Sequence, residues 1–250
     1  MVTDEETHAQ LEIDPAFGSV EMKITARAED EGKVLEALEQ ADLEPEAREI
    51  YFFDTLDLTL FEAGIVLRAR LIHGGADDST VKLRPVDPKT IGERWKDDPG
   101  LEFEVDAVGD RYVSSAKLSV DQDRGEIDDV VRGKRGVRSL FSRDQEQFLA
   151  DHAPGGAAVE WDGLHLLGPV QVHKWQFEPK ELGDEVTVEE WVLPDRSDLV
   201  EISIKVDPEE AVAANKRFVE FLRSRGFDTD GEQQTKTKAA LEYFTGRSLA

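Results

Sequence analysis

Hydrophobic and polar positions alternate along much of this chain. Around Ser19–Ala26 (SVEMKITA), Val20, Met22 and Ile24 face one way and Ser19, Glu21 and Lys23 the other, the two-residue period of a strand. The same reading predicts strands over Glu49–Asp54, Ile65–Leu71, Thr80–Arg84, Leu101–Ala107, Val170–Phe177, Glu185–Val192 and Leu199–Val206. Pro85 and Pro88 close the third of these, because proline cannot donate to a ladder. Helical spacing appears over 29–41 (Val34, Leu35, Leu38, Ala41), over 137–151, over 208–226 with Pro208 leading and Gly226 as the stop, and over Lys236–Phe244 before Gly246. Residues 1–16 read as a loose acidic tail, 119–136 as a charged, glycine-punctuated stretch, and 152–168 as a connector with one short strand. No long Pro- or Ser-rich linker divides the rest. One α+β domain over 17–246 is expected.

The polar face of these strands is ionic rather than merely hydrophilic. Arg68 and Arg70, Lys82 and Arg84, Glu102, Glu104 and Asp106, and Glu201, Ser203 and Lys205 each share a face, with apolar residues between them. An antiparallel sandwich with one wet face satisfies this pattern. So does a closed barrel that packs its apolar face outward on helices and lines a lumen with charge. The basic pairs on consecutive strands favour the barrel. Arg and Lys rows bind phosphate oxygens. Glu residues two apart on a strand face, roughly 6–7 Å from one another, offer hard oxygen ligands to Mg²⁺ or Mn²⁺. Both in one cavity point to a polyphosphate with a divalent metal, and so to phosphoryl transfer.

Charge sharpens that reading. With 30 basic and 55 acidic residues the net charge is −25, so a nucleic-acid partner is not expected and a concentration of basic side chains stands out. There is no cysteine, which excludes disulfides, a thiol nucleophile and zinc–thiolate sites. No apolar run approaches the ~20 residues of a membrane span, and no charged-then-apolar leader opens the chain; a cytoplasmic protein without a membrane partner is expected. The five histidines form no spaced ligand set. Gly74-Gly75 and Gly155-Gly156 lack the lysine and helix of a phosphate loop, and Ser114-Ser115 has no nearby His or Gly elbow.

These residues resemble a known family. YFFDTLDLTLFEAGIVLRAR (Tyr51–Arg70) is similar to the Y-F-D-T-x-x-x-x-L-x-x-x-G-x-x-L-R-x-R stretch of the CYTH superfamily, the triphosphate tunnel metalloenzymes. STVKLR (Ser79–Arg84), LEFEV (Leu101–Val105), EISIK (Glu201–Lys205) and KTK (Lys236–Lys238) resemble its later basic and acidic elements, in order. The opening E-x-E-x-K signature reads Ser19-Val20-Glu21-Met22-Lys23, and Ser203 stands where a second late glutamate is common. The resemblance implies a closed antiparallel barrel of about eight strands forming a charged tunnel, with helices outside. It implies Mg²⁺- or Mn²⁺-dependent hydrolysis of tripolyphosphate or a small organic triphosphate. Alternatives are a class IV-type adenylate cyclase and a polyphosphate- or nucleotide-binding module without turnover, in a monomer or a homodimer.

Lys23, Arg68, Arg70, Lys82 and Arg84 are then expected to cradle phosphate, with Lys174, Lys205, Lys236 and Lys238 completing the basic set. Glu21, Glu102, Glu104 and Glu201 are the expected metal ligands. Glu189 joins them if its strand is registered so that it, and not Glu190, points inward. The competing role for each is a surface stripe or a salt bridge to a neighbour.

Overall fold

The alternating segments become the staves of a barrel. The computed structural model describes residues 18–26, 31–108, 111–229 and 235–249. Among these residues nine strands close in the order β1-β5-β6-β4-β3-β2-β7-β8-β9. They are β1 (Ser19–Ala26), β2 (Glu46–Asp54), β3 (Ile65–Ile72), β4 (Asp77–Leu83), β5 (Leu101–Val108), β6 (Arg111–Gln122), β7 (His165–Phe177), β8 (Val186–Val192) and β9 (Asp198–Val206). The fold is the expected single-domain barrel with one strand more than expected and one parallel seam, β1 beside β5, where Glu21 pairs with Asp106. Geometry requires such a seam: an odd number of strands cannot alternate direction all the way round a closed ring.

The additional strand is β6, between 108 and 123. Its outward positions include Ser114 and the small Ala116, so its apolar signal is weak. Its place is set by pairing, with β5 from Leu101↔Leu118 to Val108↔Arg111 and with β4 from Asp77↔Gln122 to Leu83↔Ala116. The helix predicted over 137–151 is broken: a 3₁₀ turn spans Val137–Leu140, and Ser142 then starts α5 (Arg143–His152) with a reciprocal cap to Gln145. The acidic tail over 1–16 lies outside the described residues, as do residues 27–30 at the start of the first predicted helix.

Two apolar clusters coat the outside of the barrel. Val20, Met22 and Ile24 of β1 and Ile202 and Ile204 of β9 pack on α1 (Glu31–Ala37) and α6 (Ala211–Ser224), through Val34, Leu35, Phe218 and Leu222. Leu67, Val81, Leu83 and Leu118 pack on α3 (Glu93–Lys96), α4 (Glu126–Val131) and α5 through Trp95, Ile127 and Phe148. A third cluster brings Ile50, Phe52, Val66, Val170, Val172 and Trp191 together with Ala240 and Leu241 of α7 (Lys236–Thr245). Val66 and Trp191 also border the charged cavity, so this cluster forms its apolar floor.

The turn between β2 and β3 is fixed by Asp54. Its buried carboxylate accepts the backbone N–H groups of Thr55 (2.7 Å), Leu60 (3.0 Å) and Phe61 (2.9 Å), which start the short helix α2 (Thr59–Glu62). Gly64 follows with φ +80°, and a Cβ there would lie 2.0 Å from the carbonyl oxygen of Arg84. The Arg84 N–H in turn donates to the Gly64 carbonyl at 2.9 Å. Only glycine permits this approach, which fixes the backbone of a residue that lines the cavity. Gly64→Ala is therefore expected to cost at least ~2 kcal/mol in urea-induced unfolding, through the left-handed backbone and the clash together. An unchanged midpoint would show that the turn opens without penalty.

Candidate functional site

The inward faces of the staves enclose a cavity of about 680 Å³. Every site residue expected from sequence lines it except Glu102, which sits near one mouth between Lys117 and Lys205, both at 3.2 Å. Eleven basic and seven acidic side chains line the cavity, against 30 and 55 in the chain, so the lumen has a positive balance inside a strongly negative protein. Arg48, Lys117 and Asp106 belong to this lining and were missing from the expected set. Lys117 lies on the unpredicted β6, and Arg48 precedes the predicted start of its strand. Asp106 carried a legible signal, the inward row with Glu102 and Glu104.

The register of β8 is settled by its neighbours. Glu189 faces the lumen, whereas Glu190 turns outward and its Oε2 lies 2.6 Å from His173 Nδ1. Inside, the charges fall into two groups. In the first, Glu21, Glu104 and Asp106 bring carboxylate oxygens within 4.8 Å of one another. Lys82 Nζ donates to Glu104 Oε1 (2.8 Å) and Asp106 Oδ2 (2.7 Å), and Lys23 Nζ pairs with Glu21 (2.9 Å) and with Asp106. Burial raises the pKa of both acids, but Lys82 and Lys117 outweigh it at Glu104, which falls to about 2, and Lys23 and Lys82 hold Asp106 far below an ordinary carboxyl. The ammonium of Lys23, disfavoured by burial, is held well above the usual lysine value by Glu21, Asp106 and Glu201. Three converging carboxylates are hard oxygen donors that fit a divalent cation.

In the second group, Lys236 at the start of α7 bridges Glu201 (2.9 Å) and Glu189. Thr235 caps this helix, its side chain accepting from the Lys238 N–H at 3.4 Å. Glu189 also accepts from Trp191 Nε1 at 3.1 Å and is pulled well down despite its burial, whereas burial leaves Glu201 above its ordinary value.

Other lumen cations have different settings. Arg70 is gripped by Asp78, its Nε 3.0 Å from both carboxylate oxygens. Arg68, Arg84 and Lys174 form no ion pair among the described residues, and the buried Nε of Arg68 has no hydrogen-bond partner. Burial lowers all three: Arg68, with Arg70 beside it, falls to about 10, Arg84 is lowered, and Lys174 is lowered further by Arg48. Arg84 lies 5.0 Å over the Phe61 ring.

The depressed carboxylates set an acid limb of stability. Glu104 and Asp106 have folded pKa values below their unfolded ones, so their contribution is present above about pH 4.5 and is lost as pH falls towards about 2. Urea midpoints measured from pH 5 to 2.5 should fall steeply, and Lys82→Met should flatten that fall because it removes a cation that both carboxylates share. Equal slopes in the two proteins would overturn this account.

No protein-family model and no curated protein matches the sequence. Solved structures do match. A candidate adenylyl cyclase from Hippeastrum, HpAC1, described as having a dominant triphosphatase activity, superposes with a TM-score of 0.61 at 19% identity, covering 92% of this chain and 96% of that one. A candidate adenylate cyclase from Bacillus halodurans superposes with a TM-score of 0.61 at 13% identity, covering 89% and 98%. The chain has the barrel fold of these proteins over nearly its whole length, the fold that its resemblance to the CYTH superfamily implies.

Proposed function

We propose that this chain hydrolyses a triphosphate, inorganic tripolyphosphate or a small organic one, inside its tunnel, with Mg²⁺ or Mn²⁺ held by Glu21, Glu104 and Asp106. One observation carries the reading: Arg68, Arg84 and Lys174 are partly buried cations that have no carboxylate partner among the described residues, in a protein whose acidic residues outnumber its basic ones by 55 to 30. Unpaired buried charge is costly, and an anion entering from solution relieves it. The dominant triphosphatase activity described for the Hippeastrum protein supports this direction.

Arg68, Arg70 and Arg84 bind phosphate oxygens bidentately, with Lys23, Lys82, Lys174, Lys205 and Lys238 as point charges along the chain. Asp78 orients the Arg70 fork. Val66 and Trp191, backed by Phe52, give the lumen an apolar stretch of wall beside its charged one. A divalent ion, when bound, neutralises and polarises the terminal phosphate.

Hydrolysis is favoured over cyclisation because Trp191 is the one aromatic side chain among the described lining residues, and its ring is covered by Lys236 at 5.3 Å and Phe52 at 6.0 Å. Among the described lining residues there is no other aromatic ring on which a nucleobase would stack. The test is phosphate release from tripolyphosphate with Mg²⁺ or Mn²⁺, alongside cyclic AMP formation from ATP. Arg68→Ala should lower kcat/KM on the order of 100-fold, the loss of a bidentate charge-assisted contact. Cyclic AMP formation would replace the proposal with a cyclase. Tight binding without turnover across several metals would make the chain a binding module, with Ser19 and Ser203 as the missing carboxylates.

A further inference from the structure

We infer that Gln176, Thr187 and Ser203 form a neutral ledge that binds a hydroxyl-bearing organic group, so that the substrate is the triphosphate ester of such a group rather than inorganic tripolyphosphate. The inference rests on the triphosphatase reading above and narrows its substrate.

The three residues are successive register partners across β7, β8 and β9, and all line the cavity. Two residues away along these strands, on one side, lies the charged row of Lys174, Glu189 and Glu201. On the other side Lys205 follows Ser203 along β9 and pairs with Glu21 of β1. A lumen walled with charge is interrupted here by side chains that hydrogen-bond without carrying charge. Gln176 is exposed, Thr187 half-buried and Ser203 only 4% exposed, so the row runs from the mouth of the lumen into its wall.

The protein does not use up these groups. By contrast Thr80, inward on β4, has its hydroxyl 3.4 Å from Asp78 and 3.1 Å from Ser119 Oγ. The hydroxyls of Thr187 and Ser203 have no hydrogen-bond partner among the described residues. A buried hydroxyl needs a partner, which a ligand or water must then supply. Gln176 decides which kind of ligand fits. Its amide nitrogen donates to Glu185 Oε1 at 2.8 Å. A carboxylate only accepts, so this contact fixes the amide and leaves its carbonyl oxygen as an acceptor. That acceptor, with the Glu185 carboxylate beside it, repels phosphate oxygens and calls for a donor. A ligand hydroxyl both donates and accepts, as this row requires.

Position and size agree. In the ring order β4, which carries Lys82 and Arg84, lies across from β8 and β9. Phosphates held on that basic wall leave an esterified group facing the ledge. The cavity of about 680 Å³ also falls within the roughly 300–1,000 Å³ of pockets that take whole organic ligands.

The experiment compares phosphate release by the full chain, with Mg²⁺ or Mn²⁺, from tripolyphosphate, UTP and 2′,3′-dideoxy-UTP. The nucleotide pair is the probe of the hydroxyls. In the wild type kcat/KM for UTP should exceed that for the dideoxy analogue on the order of ten-fold, the effect of hydrogen bonds to the ribose hydroxyls. Thr187→Val with Ser203→Ala should bring that ratio to about one and lower UTP hydrolysis more than tripolyphosphate hydrolysis. Three results would each overturn this inference and leave the triphosphatase reading standing. They are no preference between the nucleotides in the wild type, hydrolysis of tripolyphosphate but of neither nucleotide, and an equal loss on all substrates in a double variant with native circular dichroism. If the double variant does not fold, the wild-type ratio and its loss in Gln176→Met, at an exposed position, decide. Phosphate release from none of the substrates would overturn the triphosphatase reading as well.

Discussion

A closed barrel that turns charged side chains inward must compensate them, and that requirement organises this molecule. Most lumen cations have a carboxylate on an adjacent strand or helix: Lys82 has Glu104 and Asp106, Lys23 has Glu21 and Asp106, Arg70 has Asp78, and Lys236 has Glu189 and Glu201. The pairings do not close the account. Arg68, Arg84 and Lys174 remain over, so the lumen has an excess of positive charge and is complementary to an anion. The lowered basicity of these three and the lowered pKa values of Glu104 and Asp106 express the same physics: burial penalises every charge, and only the paired ones recover.

The rest of the fold serves that arrangement. Outer clusters on α1 and α6 and on α3 to α5 supply the apolar burial that a charged interior cannot supply. The floor beneath α7 closes part of the lumen with Phe52, Val66 and Trp191, and the same helix inserts Lys236 among the acids. Asp54 and Gly64 set the β2–β3 connection and through it the backbone of Arg84. Residues that never touch the cavity thus position those that do.

The exterior carries the opposite sign. Outside the lumen acidic residues dominate, and a field of that sign repels long polyanions while the lumen attracts an anion small enough to enter.

Much of this was legible in the residues themselves. A two-residue period is a local property of the chain: it specified eight of the nine strands and, once the strands were known, which side chains share a face. Arg68 with Arg70, Lys82 with Arg84, and Glu102 with Glu104 are thereby placed on shared strand faces, whereas the convergence of those faces on one lumen is what the family resemblance implies and what ring closure brings about. Pairing is not local. The seam between β1 and β5 and the presence of β6, whose outward serine mutes its pattern, follow from ring closure and from partners distant in sequence. Equally, no spacing rule tells which cation meets which anion. Asp106 between two lysines, Arg68 with none, and Lys236 brought from the C-terminal helix to Glu189 and Glu201 are decided by tertiary structure, because charge compensation depends on distances through space that sequence separation does not encode.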